Sequence, residues 1–229
     1  MTLIRIDNIA NLHILYDRDP ASNYGLTGFA VRPYIDDNFS LDVTQAFQHL
    51  TQSLVQNGVG QPTSILFGGI ARSGNGSSYH HKNRAFDFDG LVFEDAENWV
   101  AQTFPVHPFI YLGIEAVLRQ HFGTVLSYDY DADHQDHFHF DNGTRPGFQR
   151  FSKSRVLFLQ NAMRYLFDFP VGIDGVYGPE TSGAEKRIRS ELGLGGFSEP
   201  DNWMAFLSLC ETTGFQRHAN TNAPAVAAQ

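Results

Sequence analysis

Apolar positions along the chain change period several times, and each change marks a boundary. Between Leu41 and Val55 the residues Val43, Phe47, Leu50 and Leu54 recur at helical spacing, with Ser40 placed to cap the start and Asn57-Gly58 to end it. "SILFGGIA" (64–71) is a short apolar run next to turn residues, the pattern of a buried strand. "AFDFDGLVF" (85–93) alternates as a strand does. "PFIYLGIEAVLRQHFG" (108–123) predicts a buried helix closed by Gly123. "TVLSYDY" (124–130) and "HFHFD" (137–141) read as the two strands of a hairpin. Residues 1–39 are mixed, with a turn-rich "DRDPASNYG". Strands and helices intermingle without a regular βα repeat, so the expected class is α+β with a small antiparallel sheet.

The character changes after "NGTRPGFQRFSKS" (142–154), a polar stretch with Gly and Pro that reads as a linker. Three short helices are expected beyond it. The first carries Val156, Leu159, Met163 and Leu166 on one face. The second has Pro179 in its first turn and Gly193 past its end. The third has Ser198 as its cap and Gly214 as its stop. The predicted organisation is a mixed domain over 1–150, a three-helix bundle over 151–217 and a disordered tail over 218–229.

Composition narrows the function classes. The 229 residues suffice to bury a core, and 42% hydrophobic content with 20 Phe is that of a globular chain. A formal net charge of −9 argues against nucleic acid as partner, because phosphate recognition needs clustered Lys and Arg. The single cysteine, Cys210, excludes an intrachain disulfide and sits in the apolar run "MAFLSLC", where an inert buried thiol is expected. No stretch has the apolar length of a membrane span. The first residues lack a basic segment followed by an apolar core, so no Sec signal is read there.

The densest cluster of ionisable groups is "DADHQDHFHFD" (131–141). In a strand, His137 and His139 share one face while Phe138 and Phe140 point into the core. Two imidazoles on one strand face suit zinc or another borderline metal. Further ligands must come from elsewhere, and "SSYHHKNRAFDFDG" (77–90) offers His80 at the end of a Gly/Ser loop and Asp87 on the next strand. A calcium loop starting at Asp129 is excluded by His134 and Phe140, which stand where Gly and Glu are needed.

Ser78-Tyr79-His80-His81-Lys82-Asn83-Arg84-Ala85-Phe86-Asp87 resembles the S-x-H-x-x-G-x-A-x-D motif of the D-Ala-D-Ala-type zinc peptidases, the LAS group that includes extensin-like C-terminal domains. The downstream His137-Phe138-His139 resembles their second motif, and the resemblance covers roughly residues 25–150. Asn83 replaces the usual Gly, a change that a left-handed turn tolerates. The resemblance implies zinc held by His80, Asp87 and His139, with Arg72 polarising the scissile carbonyl and Ser78 beside the substrate. It places a carboxylate base at Asp136, with His137 and His134 as rivals, since strict alternation from 136 would turn Asp136 away from the metal face.

Residues 156–184 resemble the peptidoglycan-binding repeat found beside wall hydrolases, through Val156, Leu159, Gln160, Asp174, Gly175, Gly178, Pro179, Thr181 and Ala184. Together the two resemblances imply a zinc-dependent peptidoglycan peptidase cutting a stem or cross-link amide. The alternative is a non-catalytic wall-binding protein with a structural zinc. The lack of a Sec signal adds an expectation about delivery. The chain would be made in the cytoplasm and act in the periplasm or wall after non-Sec export or lysis. Such an antibacterial effector or phage-type lysin would have a secretion apparatus and a cognate immunity protein as further partners.

Overall fold

The computed structural model describes residues 2–16 and 29–222. The turn-rich 17–25 segment therefore lies outside the described residues. The fold is α+β. A small sheet pairs β1 (Leu3–Arg5) with β5 (Tyr34–Asp36). The main sheet contains β2 (Asn8–Ile9), β3 (Leu12–Tyr16), β6 (Pro62–Gly69), β7 (Ala85–Phe93), β10 (Phe138–Asp141) and β9 (Thr124–Leu126), in that spatial order. Two further strands, β4 (Phe29–Ala30) and β8 (Trp99–Val100), pair with β3 and β7. Among the described residues all pairings are antiparallel except β3 with β6, which the mixed N-terminal sequence did not foretell.

Helices α1 (Asp37–Gln56) and α2 (Pro108–His121) meet the aromatic residues of this sheet. Phe86 and Phe88 of β7 and Phe138 and Phe140 of β10 alternate towards them and are fully buried. Phe47 of α1 packs edge-on to Phe88 with centroids 5.1 Å apart, and Phe122, just past α2, lies 4.5 Å from Phe140. The intervening residues, Asp87 on β7 and His139 and Asp141 on β10, are thereby turned to the opposite face.

Helix α1 begins a turn earlier than the apolar stripe suggests. Asp36 caps it by accepting from the Phe39 amide at 3.1 Å, while Ser40 lies inside and donates to the Asp37 carbonyl. Gly123 does not close α2 by a left-handed turn. Its role is close approach, since a Cβ there would sit 2.4 Å from the Thr144 and Arg145 carbonyls.

Three helical elements follow residue 152. They are α3 (Lys153–Asn161), which continues as a π-helical turn over 162–166, α4 (Pro179–Leu192) and α5 (Pro200–Asn222). Pro179 opens α4 and Gly193 closes it at φ 68°, as the sequence predicts. Helix α5 departs from expectation at both ends. It begins at Pro200, so Ser198 stands outside it, and it runs through Gly214 to Asn222, past the predicted start of the tail at 218. Residues 223–229 lie outside the described residues. Gly214 is a crossing point, where a Cβ would meet the Phe109 carbonyl at 2.6 Å and Gly113 at 3.0 Å. The α5 backbone thus touches that of α2, and one continuous apolar core spans the expected boundary at 150. Cys210 is fully buried in that core, with burial pushing its thiol up.

Candidate metal centre

The site lies on the sheet face away from α1 and α2. Strands β7 and β10 are paired so that His139 stands directly opposite Asp87, which puts both side chains on one face. His80 arrives from a short 3₁₀ turn over 79–82. Ser78 caps that turn, its hydroxyl oxygen accepting from the His80 amide at 3.3 Å. Asn83 ends the turn in the left-handed region at φ 54°, as its substitution for Gly requires.

Three donor atoms form a near-equilateral triangle. His80 Nε2 lies 3.1 Å from His139 Nδ1, His139 Nδ1 lies 3.1 Å from Asp87 Oδ1, and His80 Nε2 lies 3.2 Å from Asp87 Oδ1. Donors about 2.0–2.1 Å from a tetrahedral ion lie about 3.3 Å from one another, so the triangle is close to one face of such a tetrahedron. Two imidazole nitrogens and one carboxylate oxygen are also a suitable donor set for a borderline divalent ion. Among the described residues this is the one group of three that can hold a metal ion.

Other contacts orient the donors. His80 Nδ1 bonds the Ile70 carbonyl at 2.8 Å, which fixes the proton there and frees Nε2 for the triangle. His139 is turned the other way round, with Nε2 3.5 Å from Asp141 Oδ2 and Nδ1 inward. The sequence reading missed Asp141, although a carboxylate two residues after His139 on the same strand was the available signal.

Electrostatics follow from this packing. Burial opposes the charge on Asp87, yet its contacts with His139 and His80 and the neighbouring His137 hold its carboxyl far below the usual carboxylate range. Burial also opposes charge on His139, but hydrogen bonds to Asp141 and Asp87 carry its pKa up to about 9. Binding a cation at the triangle must therefore displace a proton from His139.

A cavity of about 510 Å³ opens in front of the triangle, lined in addition by Arg72, Ser78, Tyr79, Asp133, His134, His137 and Asp141. The Arg72 guanidinium has no partner among the described residues. A larger cavity of about 640 Å³, near Trp99, His107 and His218, contains no such triad among the described residues.

Asp136 and His137, expected as rival bases, bond to one another. Strand β10 begins only at Phe138, so Asp136 and His137 precede it. The Asp136 carboxylate binds His137 Nδ1, and His137 Nε2 lies 3.5 Å from Asp87 Oδ1 at the edge of the triangle. His134 also reaches the cavity, its Nδ1 2.5 Å from Asp131 Oδ1, and burial lowers its pKa despite that carboxylate.

A second histidine cluster lies between the helices. His49 on α1 joins His121 at 3.1 Å and Glu211 on α5 at 3.1 Å, remote in sequence from the metal triad. In the peptidoglycan-binding resemblance, the polar residues serve the turn itself. Gln160 accepts from the Asp174 and Gly175 amides and donates to Asp174 Oδ1 and Thr181 Oγ1.

Residues 68–152 match the family described as extensin-like protein C-terminus. That segment contains His80, Asp87, His137 and His139 and ends just before α3. Searches of curated proteins and of solved structures gave no match.

Proposed function

We propose that the chain is a zinc-dependent peptidase of peptidoglycan, hydrolysing an amide of the stem peptide or its cross-link. One observation carries the reading: a triangle of three donors, not four, facing a cavity that can admit a substrate. Structural zinc sites are closed by four protein ligands, whereas catalytic ones keep a position open. This favours an enzyme over a wall-binding protein with a structural zinc. The family match over 68–152 and the resemblance of the motif around His80 and Asp87 to LAS peptidases support peptidoglycan as the substrate class.

His80, Asp87 and His139 would hold the ion, which when bound supplies Lewis acidity towards a water and the scissile carbonyl. His137 is the proton-transfer group. With its Nδ1 held by Asp136, its Nε2 takes the proton of the attacking water and delivers it to the leaving amine. Asp136 fixes the tautomer and stabilises the imidazolium. Arg72 stands free at the cavity and offsets charge developing on the carbonyl oxygen. Ser78 positions His80 and presents its hydroxyl to the substrate side.

The test is digestion of purified sacculi followed by mass spectrometry of the released muropeptides. New amine and carboxyl ends in the stem peptides are expected, with the glycan intact. New reducing sugar ends would overturn the reading, as would full zinc occupancy without any turnover.

A further inference from the structure

We propose that the helical segment after residue 152 is a positioning element for the loop that carries His134 and His137, with Asn161 and Lys153 as its contact points. The inference rests on the peptidase reading for its kinetic consequence only.

Residues 127–137 join β9 to β10 outside the sheet's hydrogen-bond ladder, with two short turns of their own, one closed by the Tyr130 amide on the Ser127 carbonyl and a 3₁₀ turn at 132–134. Such a segment is costly to hold in one conformation unless something outside it does so. Its first residues are tied to two helices. The Tyr128 amide donates to the Tyr111 hydroxyl of α2 at 2.7 Å. The Asn161 amide of α3 donates to Asp129 Oδ2 at 2.8 Å. Lys153 of α3 donates to the Tyr130 carbonyl and stands 4.9 Å over the Tyr130 ring. That ring in turn meets the His134 imidazole edge-on at 5.6 Å.

The placement of Asn161 ties the loop to the rest of the helical segment. It is 4% exposed, so its bond to an exposed aspartate spends a buried amide on the loop. The preceding residue, Gln160, is buried and pins the 174–181 turn through bonds to Asp174, Gly175 and Thr181. Adjacent residues of one helix thus hold the turn of the helical segment and the loop of the cavity. Displacing a proton-transfer group by about 1 Å can cost about a hundredfold in rate.

The test uses the full chain loaded with zinc. Asn161→Ala and Lys153→Met are compared with wild type by hydrogen exchange at the bonded amides of Tyr128, Tyr130 and His134, by zinc content, and by cleavage of a small soluble muropeptide. Expected are faster exchange confined to 127–137, unchanged zinc content, and a fall in kcat of about tenfold or more. The exchanged pair Asn161→Asp with Asp129→Asn rebuilds the bond with donor and acceptor reversed and is expected to recover most of that loss. Lys153 is exposed, so Lys153→Met remains informative if the buried change at 161 unfolds the chain. Unchanged loop exchange in both single variants would overturn the proposal, as would exchange rising equally in α4. If wild type cleaves nothing, the peptidase reading falls while the exchange data still decide the tether.

Discussion

His80 Nε2 and His139 Nδ1 stand 3.1 Å apart although 59 residues separate them in the chain. Neither imidazole presents the same nitrogen, because each is held from behind by a different group, the Ile70 carbonyl for His80 and the Asp141 carboxylate for His139. The pair is useful only with Asp87 between them, and the β7–β10 register supplies it.

Removing any corner of the triangle should remove the metal. His80→Ala, Asp87→Ala and His139→Ala are expected to lose most bound zinc and all turnover, measured by elemental analysis after dialysis. Stoichiometric zinc in His139→Ala would reject the assignment. Asp141→Asn should keep the triangle yet weaken zinc binding by about 10–100-fold, the usual effect of losing a carboxylate behind a ligating histidine.

His137 and Asp136 should separate binding from chemistry. Both variants are expected to retain zinc, since neither residue is a corner. His137→Ala should lose about 10²–10⁴-fold in kcat, the usual share of general acid–base catalysis. Asp136→Asn should lose less, because the imidazole remains. The reverse order, with Asp136→Asn inactive and His137→Ala nearly unaffected, would move the base to Asp136.

The His49–Glu211 pair predicts a pH dependence of stability. The hydrogen bond that His49 Nε2 donates to the Glu211 carboxylate raises the His49 pKa against the effect of burial. A group raised on folding stabilises below its unfolded value, about 6.5, and loses that contribution as pH rises through the folded value. Burial opposes the charge on Glu211, but His49, Ser53 and Gln120 lower its pKa, so its contribution fades as pH falls through that lowered value. Burial and the His49 charge push the pKa of His121 beside them down. The Tm difference between wild type and His49→Ala should therefore be largest near about pH 5–6 and shrink towards alkaline pH. A difference that grows from pH 6 to 9 in calorimetry of the zinc-loaded protein would contradict the sign.

Two glycine-to-alanine changes should act in opposite directions. At Gly214 the new methyl group meets the Phe109 carbonyl and should force α2 and α5 apart, at a cost of about 1–3 kcal/mol. At Gly183, inside α4, a Cβ meets nothing within 4 Å, so Gly183→Ala should stabilise by about 0.5–1 kcal/mol. Denaturant melts of both variants read the difference directly.

If the target is the wall, compartment decides toxicity. Expression in the cytoplasm of a Gram-negative host should be tolerated, while the same chain led by a periplasmic signal should lyse it. A harmless periplasmic form beside a toxic cytoplasmic one would remove peptidoglycan as the target.

The sequence by itself determined the ingredients that depend on local spacing. Alternation in "AFDFDGLVF" and "HFHFD" placed the phenylalanines on one face and Asp87 and His139 on the other, since a strand has period two whatever surrounds it. Pro179 and Gly193 marked the ends of α4 for equally local reasons, and the left-handed turn at Asn83 was legible through the motif it resembles. What only the tertiary structure decided were relations between distant segments. The start of β10 at Phe138 left Asp136 and His137 to bond to one another, because that boundary is set by pairing with β7. Gly214 became a crossing point and not a helix stop, because the α2 backbone lies against it. The helices after residue 152 share the core of the sheet, because burial of an apolar face is settled by the partner it meets and not by its own pattern.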